Sequence, residues 1–295
     1  MTIAEILKPN FIVIGAAKAG TTGLCALLNQ HPSVFVCEPK EPKFFSLDEN
    51  FQKGWEWYGE LFQNATNATA IGEGSVNYTM RTSYPKTAER IAQYLPNAKL
   101  IYIVRHPLER IVSNWRMYAL SNSNPLEFNE ALRTEECRSF LIDRSKYWYQ
   151  INAYTNYFAP EQLSIFFFED FIANPQDTLQ KCFNYLGVDP NFETANPEKP
   201  HNRTDDTRVV APWRKKLRQI PLWRATSQLI PQQLKKKITS SSLSTQPQIG
   251  KPEWDKNVYQ YVVDEIGEDA THTFLKQIRK TPKLLVVLEV LMGRS

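Results

Sequence analysis

The sequence predicts a three-layer α/β fold: a P-loop-type central parallel sheet flanked by helices, with a helical C-terminal extension. Three observations predict it. Short continuous apolar runs alternate with helical patterns along the first two-thirds of the chain, the signature of parallel strands joined by crossover helices. A glycine-bearing loop joins the first apolar run directly to a helix. The composition is that of a globular protein, with 42% of 295 residues hydrophobic and 22% charged, which excludes disordered, collagen-like and coiled-coil classes.

Taken in order, Phe11-Ile-Val-Ile14 is an apolar run before a glycine and reads as a buried strand. Thr21 to Gln30 reads as a helix with Leu24, Leu27 and Leu28 on one face. Ala70-Ile-Gly-Glu73 is a weaker strand candidate, whereas Lys99–Val104 and Leu163–Phe168 are strong ones. Helical patterns fall at about 86–95, 108–120, 145–159 and 175–186. From about residue 212 the pattern turns to basic helical and loop segments, with a Ser/Thr/Pro/Gly-rich connection from Thr239 to Pro252. The expected organisation is one domain over residues 1–295, its core at about 10–212 and its basic helical extension at 213–295.

Charge is uneven. The net is only +4, too mild to argue for nucleic acid. Residues 1–200 hold 18 Lys+Arg against 22 Asp+Glu, but residues 201–240 hold 10 against 2. A local basic block suits an anionic ligand or surface, and Trp213-Arg-Lys-Lys-Leu-Arg218 with Lys235-Lys-Lys237 suits peripheral contact with an anionic membrane; a plain solvated helix face is the alternative. Cys25, Cys37, Cys137 and Cys182 are scattered, with neither metal-site spacing nor a disulfide framework. The start MTIAEILKPN carries no readable signal peptide, and the apolar stretch Leu284–Met292 falls well short of the ~20 residues a membrane span needs, so a soluble, cytoplasmic protein is expected.

Gly15-Ala-Ala-Lys18-Ala19-Gly20-Thr21-Thr22 lies between strand and helix, where backbone N–H groups and a helix N-terminus cradle phosphate. Against G-x-x-x-x-G-K-[ST], both glycines and Thr22 fit, while Thr21 replaces the lysine and Lys18 sits inside the loop. A P-loop kinase would need an acidic magnesium ligand after a second buried strand; that strand ends instead in Val104-Arg105-His106-Pro107. Arg105 stands where α/β folds bind ligands, and the helix opened by Pro107 presents Arg110, Ser113 and Arg116. Guanidinium grips phosphate bidentately, so two separated phosphates without a metal fit these residues.

Three segments then carry a family resemblance: FIVIGAAKAGTTGLCALLNQHPSVFVCEPKEPKFF (11–45), KLIYIVRHPLERIVSNW (99–115) and LSIFFFEDFIANPQDTLQKCFNYLGV (163–188). In that order and spacing, the chain resembles sulfotransferases that use 3′-phosphoadenosine 5′-phosphosulfate (PAPS), in the branch containing bacterial sulfotransferases and the heparan-sulfate N- and 3-O-sulfotransferase domains. The resemblance implies PAPS as co-substrate, its bisphosphate PAP as product, and no metal. It implies that Lys18 stabilises charge on the departing phosphate, with Ala19, Gly20, Thr21 and Thr22 forming the 5′-phosphate cradle. It implies Arg105 and Ser113 as the 3′-phosphate pair, Arg203 as a further contact, and Glu41 as the catalytic base. Two positions depart from the glycan-modifying branch: Ser46 follows Phe44-Phe45, and Gly74 replaces the lysine of a Gly-Glu-Lys-Ser-Pro segment. The expected acceptor is a hydroxyl or amine of a carbohydrate, glycolipid or small molecule.

Histidine supplies the competing base. His31 and His106 read as packing residues, His201 begins the basic block, and His272 lies in an acidic helical stretch. Trp55, Trp57 and Tyr58 suit either stacking on an acceptor or the core. The other functional classes that fit are a P-loop kinase and a membrane- or polyanion-binding protein with a degenerate nucleotide site. The oligomeric state is left open.

Overall fold

The computed structural model describes residues 8–197 and 249–269, together with a two-residue antiparallel pairing of Val209–Val210 with Leu243–Ser244. Five strands, β1 (Phe11–Gly15), β2 (Val34–Val36), β3 (Ala70–Glu73), β4 (Lys99–Val104) and β5 (Leu163–Phe167), form one wholly parallel sheet in the order β2-β3-β1-β4-β5. Every residue of β1 is buried, which is why its sequence is a continuous apolar run rather than an alternation. The chain builds first to one side of β1 and then to the other. The strand order therefore reverses at β1, and the carboxyl ends of β3, β1 and β4 face one crevice, where open α/β sheets bind ligands.

Among the described residues the helices are α1 (Thr21–Leu28), α2 (Asp48–Phe51), α3 (Gly54–Glu60), α4 (Thr87–Tyr94), α5 (Pro107–Ser121), α6 (Phe128–Ala131), α7 (Glu135–Leu141), α8 (Tyr147–Ile151), α9 (Phe168–Ala173), α10 (Pro175–Leu186) and α11 (Lys256–Asp269). Local signals explain the sharpest of them. In α10 the Asn174 side chain accepts the Asp177 N–H, Pro175 stands in the first turn, and Gly187 at φ +82° closes the end.

The pattern at 145–159 does not form one helix. It becomes a 3₁₀ turn at Asp143–Ser145, the short α8, and turns up to residue 158. Its polar and aromatic side chains bond locally instead of continuing the helix: the Thr155 hydroxyl donates to the Asn152 carbonyl (3.0 Å), and the buried Tyr154 donates to Tyr78 O (2.7 Å). The strand expected at 163–168 ends at Phe167, and Phe168 opens α9.

Two hydrophobic clusters support the crevice. One packs the sheet between α1, α4 and α10, around Phe11, Ile12, Leu24, Ile91, Leu100 and Phe183. The other joins α5, α6 and α7 to α11, through Ile111, Leu132 and Leu141 against Val258, Val262 and Ile266. Of the extension expected from residue 213, the part described as α11 is packed into the body; residues 213–242 lie outside the described residues. Truncating Ile266 (2% exposed) to Ala removes core volume there and should cost about 2–4 kcal/mol. Denaturant unfolding followed by tryptophan fluorescence and by circular dichroism should show that loss in one shared transition. Two separated transitions would make α11 an independent unit.

Candidate active site

β1 ends at Gly15, and the loop 16–20 is pinned by Ala16 N–H donating to Ile103 O (2.7 Å) and Ala19 N–H donating to Ala16 O (3.2 Å). Gly20 has φ +83°, and a Cβ there would lie 2.8 Å from the Phe168 ring, so the position demands glycine twice over. Lys18 is itself left-handed at φ +71°, a strained conformation that non-glycine residues hold mainly at functional loops. No side chain caps α1, so the leading amides of Thr21, Thr22 and Gly23 are left for a ligand at the positive end of the helix dipole.

Cations crowd this loop. The Lys18 ammonium donates to Met117 Sδ at 3.7 Å. Burial, then the charges of Arg105, Arg110 and Arg116, push its pKa below the usual lysine value. Arg105, just past β4, donates from Nη1 to Lys18 O (3.5 Å), lies over the Phe168 ring (4.9 Å) and has Nη2 3.7 Å from Glu109. Phe168 thus touches both the Gly20 turn and the arginine. The Tyr147 hydroxyl donates to Arg105 O (2.7 Å), and His106 N–H donates to Glu169 Oε1 (2.9 Å), so the peptide carrying the guanidinium is held from two sides. Ser113, on α5, is buried.

Glu41 belongs to the same neighbourhood. Lys40 Nζ lies 3.2 Å from Glu41 Oε1 and 3.4 Å from Thr21 Oγ1, linking the carboxylate to the start of α1, while Lys43 approaches its other oxygen at 3.9 Å. The Lys40–Phe45 segment hangs from the end of β3. Gly74 N–H donates to Lys40 O (3.1 Å), Lys43 N–H to Ser75 Oγ (3.0 Å), and Phe45 N–H to Tyr78 Oη (3.3 Å).

Beneath that segment, fully buried Glu73 accepts hydrogen bonds from Ser75 (2.6 Å), Tyr78 (2.6 Å) and Tyr58 (2.9 Å). Burial lifts its pKa to about 7, against the three hydroxyls that favour its charged form. Sequence reasoning passed over Glu73; its only signal is an acid closing an apolar strand. A Cβ at Gly74 would stand 2.7 Å from Cys25 Sγ and 3.2 Å from Lys40 Cε, so a lysine there would have to displace both side chains.

Other expected residues fall elsewhere. Arg110 is fully buried, with Nε donating to Ser145 Oγ (2.6 Å) and Nη2 to the Leu141 carbonyl; it organises the α7–α8 junction rather than lining the crevice. Burial lowers its pKa to about 10. His31 is a packing residue whose Nδ1 accepts Ser33 N–H (3.0 Å) while Nε2 donates to Asp189 O (3.1 Å). Tyr58 is core, stacked on Phe44 (4.4 Å), and Trp55 packs against Tyr94 (5.2 Å). Arg203, His201, His272 and the basic block 213–237 lie outside the described residues.

Comparison with known proteins places the chain in a family and a fold. A family model described as "Sulfotransferase domain" matches residues 8–233. The chain is 31% identical over 207 residues to the bifunctional heparan sulfate N-deacetylase/N-sulfotransferase 3 of Mus musculus, covering 62% of this chain and 23% of that protein. It is 29% identical over 197 residues to the heparan sulfate glucosamine 3-O-sulfotransferase 5 of Mus musculus, covering 64% of this chain and 56% of that protein. The chain therefore spans about a quarter of the length of the first of these relatives. The crystal structure of a sulfotransferase from Alicyclobacillus acidocaldarius superposes with a TM-score of 0.64 at 22% identity, covering 98% of this chain and 97% of that one, which establishes a shared fold.

The Glu73 cluster makes stability depend on pH in a defined sense. Its folded pKa, about 7, lies above the ordinary 4.5, so its contribution is fully present below pH 4.5 and is lost as pH rises to about 7. The stability of the protein relative to its Glu73→Gln variant should fall across that window, at up to about 1.4 kcal/mol per pH unit, and level off above it. Chemical denaturation at half-unit steps of pH checks this. A difference that does not vary with pH would show that Glu73 does not titrate there.

Proposed function

The chain belongs to the sulfotransferase domain family, and from that membership we propose that it transfers a sulfuryl group from PAPS to a hydroxyl or amine of a carbohydrate, glycolipid or small-molecule acceptor. The observation that carries the reading is the joining of two anion-gripping elements at neighbouring strand ends: Arg105 reaches the backbone of Lys18 at 3.5 Å, and Lys18 is crowded by arginine charge. Such a surplus of positive charge is matched by a ligand with two separated phosphates.

In this reading Ala19, Gly20, Thr21 and Thr22 hold the 5′-phosphosulfate end with α1 amides and hydroxyls. Arg105 and Ser113 hold the 3′-phosphate, and Arg203 adds a contact. PAPS, when bound, supplies an electrophilic sulfuryl group on a phosphate leaving group. Lys18 opposes the negative charge that grows on that phosphate, the largest kind of contribution a fixed cation makes. Glu41 takes the proton of the acceptor, and Lys40, between Glu41 and Thr21, keeps base and cradle in register. Since Gly74 and Ser46 replace the acceptor-side residues of the glycan-modifying branch, the acceptor need not be heparan.

PAP at roughly 100 times its dissociation constant should stabilise the protein by about 2.7 kcal/mol in a thermal-shift assay, with or without magnesium. Lys18→Ala and Arg105→Ala should each weaken PAP binding about 10- to 100-fold, the usual loss for a hydrogen bond to a charged group. A shift seen only with magnesium and ATP would sink the proposal in favour of a kinase. Glu41→Gln should bind PAP normally yet lower kcat about 10²- to 10⁴-fold in an acceptor assay. Unchanged kcat would remove Glu41 as the base.

A further inference from the structure

We propose that Asp269, at the end of α11, is a positioning residue for Arg105: it anchors α8, from which Tyr147 fixes the peptide that carries the 3′-phosphate-gripping guanidinium. The proposal rests on the functional reading above and extends it to a helix beyond residues 8–233, the span that the family model matches.

The chain of contacts is short and directed. Asp269 Oδ1 accepts Tyr149 N–H at 2.7 Å, and Oδ2 accepts Trp148 N–H at 3.0 Å. These are leading amides of α8, a five-residue helix too short to hold itself together and without a capping side chain at Lys146. The Asp269 carboxylate therefore caps α8 from a remote element. The first residue of α8 is Tyr147, buried edge-on against Tyr102 (5.9 Å); the Tyr147 hydroxyl donates to Arg105 O at 2.7 Å. Burial raises the Asp269 pKa to about 6, with both amides working to keep its charged form.

Neighbouring contacts aim α11 at the same place. Glu265, one turn before Asp269, accepts from Lys146 (2.5 Å) and Arg138 (2.7 Å), so positions 265 and 269 form one polar edge. Val258, Val262 and Ile266, four apart, bury the other stripe and fix the rotation of the helix. Ahead of α11, Lys251 Nζ binds Glu109 Oε1 at 2.8 Å, while the other carboxylate oxygen stays 3.7 Å from Arg105. Lys251 and Arg105 thus share Glu109, each on its own oxygen, and Glu109 links the segment ahead of α11 to that arginine.

The test uses the full chain and two nucleotides, PAP and adenosine 5′-phosphate, which lacks the 3′-phosphate. Binding is measured by isothermal titration calorimetry for the wild type, Asp269→Ala, Asp269→Asn and Tyr147→Phe, with melting temperatures alongside. Asp269→Ala and Tyr147→Phe should weaken PAP about 3- to 15-fold, the range of one lost hydrogen bond, and leave adenosine 5′-phosphate within twofold. Asp269→Asn, which keeps one acceptor oxygen, should fall between alanine and wild type. Equal weakening of both nucleotides, or unchanged PAP affinity in soluble Tyr147→Phe and Asp269→Asn, would overturn the proposal even if Asp269→Ala fails to fold. A wild type that binds no PAP overturns the functional reading itself, and this proposal with it.

Discussion

The structure turns on positive charge gathered where β1 and β4 end. Lys18 is strained, partly buried and crowded by arginine charge, an arrangement that opposes folding unless rigid neighbours hold it. Those neighbours are visible. Phe168 presses on the Gly20 turn and underlies Arg105, and Tyr147 clasps the Arg105 carbonyl. Arg105 is held through its carbonyl, and its guanidinium, 3.5 Å from Lys18 O, is set beside the loop. A fold that tolerates such crowding is preorganised for an anion, because the cost of assembling the charges is met before the ligand arrives.

The opposite wall has the reverse electrostatics. Glu73 is a buried acid that never reaches the crevice; it acts by ordering hydroxyls, which in turn order the segment carrying Glu41. Lys40 then ties that segment to Thr21. The start of α1 and the loop that carries Glu41 are thus linked by one lysine. A Cβ at Gly74 would press on Cys25 and Lys40, so this wall is packed around the absence of a side chain there.

Much of this was legible in the sequence because it is local. β1, β4 and β5 are predominantly apolar runs, the glycine loop adjoins one of them, and Arg105 immediately follows another, so pattern alone places loop and arginine at strand ends. What pattern could not show depends on distant partners. Val34–Val36 is too short to display a period and is a strand only because β3 pairs with it. The residues at 145–159 have helical spacing, yet Tyr154 is drawn to Tyr78 and the helix stops. Arg110 shares a helical face with Ser113, but hydrogen bonds at the α7–α8 junction take its guanidinium. The buried fate of Glu73 and the reach of Asp269 to α8 follow from contacts 15 and 121 residues apart in sequence.

The most direct test of the central claim is the titration of Lys18 itself, followed by NMR of a lysine-labelled protein with and without PAP. Lys18 should titrate below the exposed lysines in the free protein, and its pKa should rise when the bisphosphate places negative charge beside it. An ordinary Lys18 pKa that PAP leaves unmoved would contradict it, because the crevice would then be neither crowded with positive charge nor the place where the anion binds.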